Sequence, residues 1–402
     1  MKILMFGWEY PPHISGGLGT ACHGLTQALL SAGHEVKFVI PHAVEEEKAP
    51  GFELVSASNV NLSPFIYSTA LRVLGKIMPE LEVKLSKYPN RSNYKFSGAY
   101  GPGLMDEVYW FAVVASKLAI DFQFDIIHAH DWLTYLAGLV AKEVSGKPLV
   151  VHIHATEYDR SSKINIRVFE IEQKGMLHAD RVLTVSNLTR NTVTQRYGIN
   201  PAKVITTYNG VRPYKKTLNL KTKNIHEKFV TFLGRITYQK GPQYFIEAAR
   251  KVLIKNQQVR FVMAGNGDMM KAMIRKVAGL RLSRYFHFTG FLKREQVEQM
   301  LEMSDVFVMP SVSEPFGIAP LEAIQSDVPV IVSKQSGVAE VLPYAIKVDY
   351  WDTNALADTI YGLLNYKAMG KTTKSLNQHA LSHLTWDNAA TKVLDVYSSI
   401  IK

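Results

Sequence analysis

Apolar positions along the chain recur with two alternating periods, one suited to strands and the other to helices. Lys2-Ile-Leu-Met-Phe-Gly7 is a short, nearly continuous apolar run of the kind a buried strand needs. A Pro/Gly-rich loop follows from Tyr10 to Gly19, after which Ala21, Leu25, Ala28, Leu29 and Ala32 share one face at helical spacing. Gly33 suits the end of that helix, and Val36, Phe38 and Ile40 alternate along a second strand. Further strands are expected at 125–130, 149–154 and 181–185. The unit then restarts: 229–234 reads as a strand, and Pro242 opens a helix whose apolar face carries Phe245, Ala248, Ala249, Val252 and Leu253. Strands at 259–264, 306–309 and 329–332 continue the alternation. After Trp386, the residues Ala389, Val393, Val396, Tyr397 and Ile400 form a last amphipathic helix.

This alternation predicts an α/β architecture of two Rossmann-like, doubly wound domains, with ligand sites at the carboxyl ends of the strands facing a central cleft. A chain of 402 residues is too long for one ordinary core. The expected division is 1–212 for the first domain and 213–385 for the second, with helix 386–402 packing back on the first. The charged stretch 212–228 marks the boundary. Residues 50–105 mix Pro, Asn, Tyr and Lys without a sustained period, and read as an insertion or an acceptor surface.

Composition narrows the function classes. With 47% hydrophobic and 20% charged residues the chain reads as globular. No apolar run approaches the roughly 18 residues of a membrane span. No secretory signal is visible, and the single cysteine, Cys22, excludes a disulfide framework, so a cytoplasmic location is expected. Cys22 itself reads as a small buried hydrophobe. The formal net charge of +11 favours anionic partners. There are no zinc-type cysteine pairs and no aromatic-interleaved RNA signature, so nucleic acid is not expected as a partner. Basic residues cluster at Arg72, Lys76, Lys84, Lys87, Arg91 and Lys95, and again at Arg212, Lys215, Lys216, Lys221, Lys223 and Lys228. These read as solvated faces or, more sharply, as surfaces for a charged acceptor or for peripheral contact with an anionic inner membrane face.

The segment with most chemistry is Ser313-Glu-Pro-Phe-Gly-Ile-Ala-Pro-Leu-Glu322. Pro320 suits a first helical position, so Phe316, Gly317, Ile318 and Ala319 lead into a helix N-terminus whose amides can meet phosphate or sugar oxygens. Glu314 lies in the loop and Glu322 on the first turn. Gly234-Arg-Ile-Thr-Tyr-Gln-Lys-Gly241 places Arg235 at a strand end and Lys240 before a helix, where two cations can neutralise a departing diphosphate. Gly265-Asn-Gly267 and Thr289-Gly-Phe-Leu292 are turns after strands. Ser15-Gly-Gly-Leu-Gly19, with Gly16 and Gly17, is a glycine loop opening onto a helix. His128, His130 and Asp131 end one strand, and His152 and His154 share a face at the end of another.

The Glu314-to-Glu322 spacing resembles the E-x7-E pattern of retaining glycosyltransferases with the GT-B fold, and its flanks are similar to glycosyltransferase family 4. The resemblance implies that Glu314 lies by the donor sugar, Glu322 binds the nucleotide ribose, and Arg235 and Lys240 hold the diphosphate. It implies that Gly265 lies near the nucleotide, that the base is received around Phe291, and that His154 touches the donor sugar. Trp8-Glu-Tyr-Pro-Pro12, the glycine loop and His130-Asp131-Trp132 resemble glycogen and starch synthases, with His130 and Asp131 on the acceptor side. Those synthases usually carry lysine before the glycine loop, where this chain has Ile14-Ser15. The implied donor is a nucleotide-diphosphate sugar, used without a metal or other cofactor. The implied acceptor is a carbohydrate or a lipid-linked sugar.

Three other readings share these residues. A metal-dependent hydrolase would use His128, His130, Asp131, His152 and His154, whose side chains suit zinc or manganese. A non-catalytic carbohydrate-binding protein and a nucleotide-sugar epimerase would use the same two-domain plan.

Overall fold

A computed structural model of the chain describes residues 1–12, 16–62, 64–80, 92–160, 163–212 and 227–401. They form two compact units, Met1–Tyr208 with Trp386–Lys402, and Asn209–Thr385. Lys84, Lys87 and Arg91 of the first basic cluster, Lys215, Lys216, Lys221 and Lys223 of the second, and Ser15 before the glycine loop lie outside the described residues.

The first unit contains β1 (Lys2–Phe6), β2 (Glu35–Ile40), β3 (Lys48–Ala49), β4 (Phe52–Ser56), β5 (Ile126–His130), β6 (Leu149–Ile153), β7 (Arg181–Thr184) and β8 (Val204–Thr206). Their spatial order is β3-β4-β2-β1-β5-β6-β7-β8. All pairings are parallel except β3 with β4. The apolar run of β1 has the cause its composition suggests: Ile3 to Phe6 are all buried, with layers on both sheet faces. Helices Leu104–Asp121 and Trp132–Ser145 supply much of one layer, and Val108 to Ala115 are buried almost without interruption.

The last helix, Trp386–Ser398, belongs to this unit. The Trp386 ring fills the space where a side chain at Gly24 would stand, in helix Gly17–Ser31. Within 50–105, the chain forms β4 and helix Pro64–Ile77. Residues 92–103 then lie against helix Leu104–Asp121: Phe96 is buried against Phe111, Tyr94 stacks on Trp110, and Glu107 accepts hydrogen bonds from the Ser97 and Gly98 amides.

The second unit contains β9 (Lys228–Leu233), β10 (Val259–Ala264), β11 (Phe286–Gly290), β12 (Val306–Met309), β13 (Val330–Ser333) and β14 (Ile346–Val348). The order is β11-β10-β9-β12-β13-β14, parallel throughout. Its core joins Val230, Phe232, Phe245, Phe261, Val306, Val308 and Ile331.

Both sheets are doubly wound, and each reverses strand order once, between β1 and β5 and between β9 and β12. At such a switch point the two following loops diverge to opposite faces and leave a crevice at the carboxyl ends of the strands. The loops in question start at 7–12 and at Asp131 in the first unit, and span 234–241 and 310–318 in the second.

Candidate active site

In the second unit the switch point brings together residues 74 positions apart in sequence. Lys240 Nζ forms an ion pair with Glu314 Oε2, and both side chains are largely shielded from solvent. Ser311 Oγ donates to the same carboxylate oxygen at 3.4 Å. The loop backbones are tied as well: Val312 N–H donates to Gln239 C=O at 2.8 Å and joins the loops after β9 and β12. Glu314 is also fixed from the β13 side, where its N–H donates to Gln335 C=O and its C=O accepts from Gly337 N–H.

Two glycines permit this packing. At Gly241 φ is +66°, and an added Cβ would lie 2.1 Å from Pro310 O. At Gly265 φ is +128°, and a Cβ would lie 1.9 Å from Gly234 O. Any side chain there would drive the loops apart. The Gly265 N–H in turn donates to Gly290 C=O, which ties the loops after β9, β10 and β11 into one rim.

The other expected residues are distributed around this pair. Arg235 is exposed at the end of β9, with no ion pair among the described residues. Gly317 (φ +99°) precedes helix Ala319–Gln325, and Ile318 is half-buried at its N-cap. Pro320 is the second residue of that helix rather than the first. Phe291 stands 60% exposed beyond β11, a free aromatic face on the rim. Phe316, expected among the donor-binding residues, has its ring buried in the unit, and its C=O accepts from Val338 N–H. An apolar ring beside a polar pair is more stable packed inside, and it backs the loop instead of lining it.

Glu322 does not share the Lys240–Glu314 environment. Burial raises its carboxyl above the usual range, with Arg294 opposing the shift and Glu298 adding to it. The two glutamates are therefore electrostatically distinct: one is held by a lysine, the other stands half-buried near a distant arginine.

In the first unit, Gly16 N–H donates to Glu9 Oε2 at 3.2 Å, and Gly17 begins helix Gly17–Ser31. Glu9 is buried, and its other oxygen accepts from Tyr100 OH at 2.5 Å. Register pairs His130 of β5 with His152 of β6. Four imidazoles stack as a result, with ring centroids 4.3 Å apart for His128 and His130 and 4.5 Å for His152 and His154.

Their nitrogens are used mainly among themselves. His128 Nε2 meets His152 Nδ1 at 3.3 Å, and His130 Nδ1 meets His154 Nε2 at 3.0 Å. His128 Nδ1 bonds the hydroxyl of Tyr397, and His152 Nε2 lies 3.4 Å from Thr207 Oγ1. Burial, reinforced by their mutual repulsion, holds His128, His130 and His152 well below the usual histidine range. Burial alone pushes His154 down to about 3. All four are neutral at physiological pH, so each can donate and accept one hydrogen bond.

Asp131 has φ +59° and accepts from the His154 N–H at 2.7 Å and the Ala155 N–H at 3.3 Å. It therefore fixes the loop that carries His154. Burial pushes its carboxyl up to about 6, against Arg160 and the two amides. Arg160 is anchored by Glu172 at 2.8 Å and by Ala155 C=O at 2.6 Å.

Motif spacing assigns no site role to Glu9, Tyr100, Gln239, Arg160, Glu172 or Tyr397. Glu9 lay within a quoted segment, but nothing in spacing says that its carboxylate holds Gly16. Tyr397 is 269 residues from His128, a pairing that only the packing of the last helix creates.

Comparison with known proteins completes the picture. The family model described as Glycosyltransferase Family 4 matches residues 15–214, and that described as Glycosyl transferases group 1 matches residues 215–378. The chain is 28% identical to an uncharacterised glycosyltransferase of Methanocaldococcus jannaschii, covering 99% of this chain and 98% of that protein. It is 24% identical to glycogen synthase of Mycobacterium tuberculosis, covering 99% and 94%. Among solved structures, sucrose-phosphate synthase of Thermosynechococcus elongatus superposes with a TM-score of 0.79 at 17% identity, over 99% and 98% of the two chains. Anabaena HepE, solved with UDP and glucose, superposes with a TM-score of 0.73 at 17% identity, over 99% and 100%.

Proposed function

Since the chain belongs to glycosyltransferase family 4 and has the GT-B fold, it is a glycosyltransferase, and we propose that it moves a hexose from a nucleotide-diphosphate sugar to a carbohydrate acceptor with retention of anomeric configuration. The Lys240–Glu314 pair at the switch point of the second unit carries this reading. In the absence of donor the two charges satisfy each other. When the donor enters, its diphosphate competes for Lys240, and Glu314 is released toward the sugar hydroxyls.

Arg235, exposed at the neighbouring strand end and with no ion pair among the described residues, adds the second cation. Together they stabilise negative charge as it develops on the leaving group, the largest electrostatic demand of such a reaction. Helix Ala319–Gln325 has only seven residues, so its dipole contributes less than the two cations. Gly317 lets the ligand approach the backbone, Glu322 accepts from the ribose, Gly265 borders the nucleotide, and the Phe291 ring offers a face to the base. No residue is assigned as a nucleophile. Glu314 orients the sugar and stabilises positive charge on it.

The family resemblance makes His154, whose amide Asp131 holds and whose ring His130 contacts, a donor-sugar contact, and Gly16 and Gly17 donor-binding residues. His130 and Asp131 border the acceptor. The mycobacterial relative supports an α-glucan acceptor, and the HepE complexes with UDP and UDP-glucose support a uridine-diphosphate donor. The Ile14-Ser15 departure keeps oligosaccharide and lipid-linked acceptors in the comparison, the latter at an anionic inner membrane face. No helix among the described residues is long and apolar enough to cross a membrane.

The test is a thermal-shift screen of UDP-glucose, ADP-glucose, UDP-GlcNAc and GDP-mannose. One donor should raise the melting temperature well beyond its free nucleoside monophosphate. No shift with any of them would remove the proposal. A hydrolase built on the histidine cluster predicts that chelators abolish activity, whereas transfer driven by Lys240 and Arg235 predicts full activity in chelator.

A further inference from the structure

We propose that Cys22, His130 and His154 form a binding site for a soft or borderline metal ion such as Zn2+, and that its occupancy inhibits sugar transfer. Each of the three residues brings one donor atom within 4.8 Å of the other two. Cys22 and His130 are fully buried, and His154 is half-buried, which gives the cluster one side open to an incoming ion.

A second, independent observation points to a ligand. His130 Nε2 is buried with no hydrogen-bond partner, although His130 Nδ1 is used by His154. A buried polar atom left without a partner is uncommon in folded proteins and asks for one.

The chemistry selects the ion. One thiolate and two imidazoles suit zinc and disfavour magnesium or calcium, which prefer oxygen. Zinc takes nitrogen at about 2.0–2.1 Å and sulfur at about 2.3 Å, leaving a fourth position for water. As the Zn–S bond forms, the thiol proton leaves to solvent, and the ion keeps its charge state. The other histidine triad, His128, His130 and His152, is less suited: the nitrogens of His128 and His152 are engaged with Tyr397, Thr207 and each other, and no member is exposed.

Inhibition follows from where His154 stands, and this part rests on the role proposed for it above. An ion on His154 takes the ring nitrogen from its partner and withdraws it from the donor sugar. The binding claim does not depend on that role.

The test uses the full chain after chelator treatment. Equilibrium dialysis should find one Zn2+ per chain, with affinity lowered at least about 10-fold in Cys22→Ser and in His130→Gln. Co2+ added to the wild-type protein should give a thiolate-to-metal charge-transfer band, which needs no variant to interpret and is absent in Cys22→Ala. Zn2+ binding unchanged in Cys22→Ser, or a cobalt spectrum without that band, overturns the site. In transfer assays Zn2+ should inhibit and chelator should restore the rate. Stoichiometric binding without inhibition overturns the regulatory claim and counts against the role of His154, while leaving donor binding by Lys240 untouched.

Discussion

Lys240 and Glu314 are ion-paired at the point where the second sheet reverses its strand order, and each sits on a loop the other loop's backbone holds in place. The pair is largely shielded, so it differs from the exposed ion pairs that contribute little to stability. Removing one partner leaves a shielded charge unsatisfied. Lys240→Ala should therefore lower kcat/KM for the donor about 100- to 1000-fold, the usual loss of one preorganised charge-stabilising group. It should also lower stability by about 1.5–3 kcal/mol. Initial rates and urea unfolding measure the two effects separately.

Arg235→Ala should separate function from structure more cleanly. The side chain is exposed and has no ion pair among the described residues, so unfolding free energy should stay within about 0.5 kcal/mol of wild type. Donor KM should nevertheless rise. An unchanged KM would leave Lys240 as the only cation the leaving group uses.

Gly265→Ala should damage the donor unit through the backbone. The position combines φ +128° with Gly234 O at 1.9 Å from any added Cβ. A cost of at least about 1–3 kcal/mol is expected, with loss of donor binding, because the loops after β9, β10 and β11 are tied together there. A variant with wild-type melting temperature and donor affinity would show that this rim is not rigid.

The histidine stack predicts acid sensitivity. His154 titrates near 3 in the folded chain against 6.5 unfolded, and His128, His130 and His152 shift the same way. Between those values the unfolded chain binds more protons, so stability is complete above about pH 6.5 and falls as pH drops toward 3. Asp131 opposes this between 3.8 and about 6, where its folded form binds the extra proton. The raised carboxyls of Glu172 and Glu322 act in the same sense as Asp131, but the four histidines outweigh them, so the melting temperature should fall below pH 6.5. His152→Gln should flatten that slope.

Much of this was readable in the chain, and the reasons are physical. The apolar runs of β1, β9, β10 and β12 appear almost at their expected bounds, because a strand buried on both faces has few alternatives in its sequence. The strands that went unassigned are β3, β4, β8, β11 and β14. All five have five residues or fewer and lie at or next to a sheet edge, where the pattern weakens. Residues 92–103 were opaque for another reason: Phe96 and Tyr94 are ordered by contact with Phe111 and Trp110, not by any local period. At the site, motif spacing pointed to Glu314, Lys240 and the histidines. It could not say that Lys240 would pair with Glu314, that Phe316 would turn inward, or that Tyr397 would close on His128. Those relationships arise from parallel strand order and from the return of the last helix, which no local window contains.

The central claim is retaining transfer of a hexose from a nucleotide-diphosphate donor at the Lys240–Glu314 site. Its most direct test follows the anomeric proton signals by NMR as the chain turns over α-linked UDP-glucose, ADP-glucose, UDP-GlcNAc or GDP-mannose in the presence of chelator, with water or added glucan as acceptor. The first product should carry the sugar in the α configuration, and Lys240→Ala should form it at least about 100-fold more slowly. A β product appearing first, or Lys240→Ala working at the wild-type rate, would contradict the account.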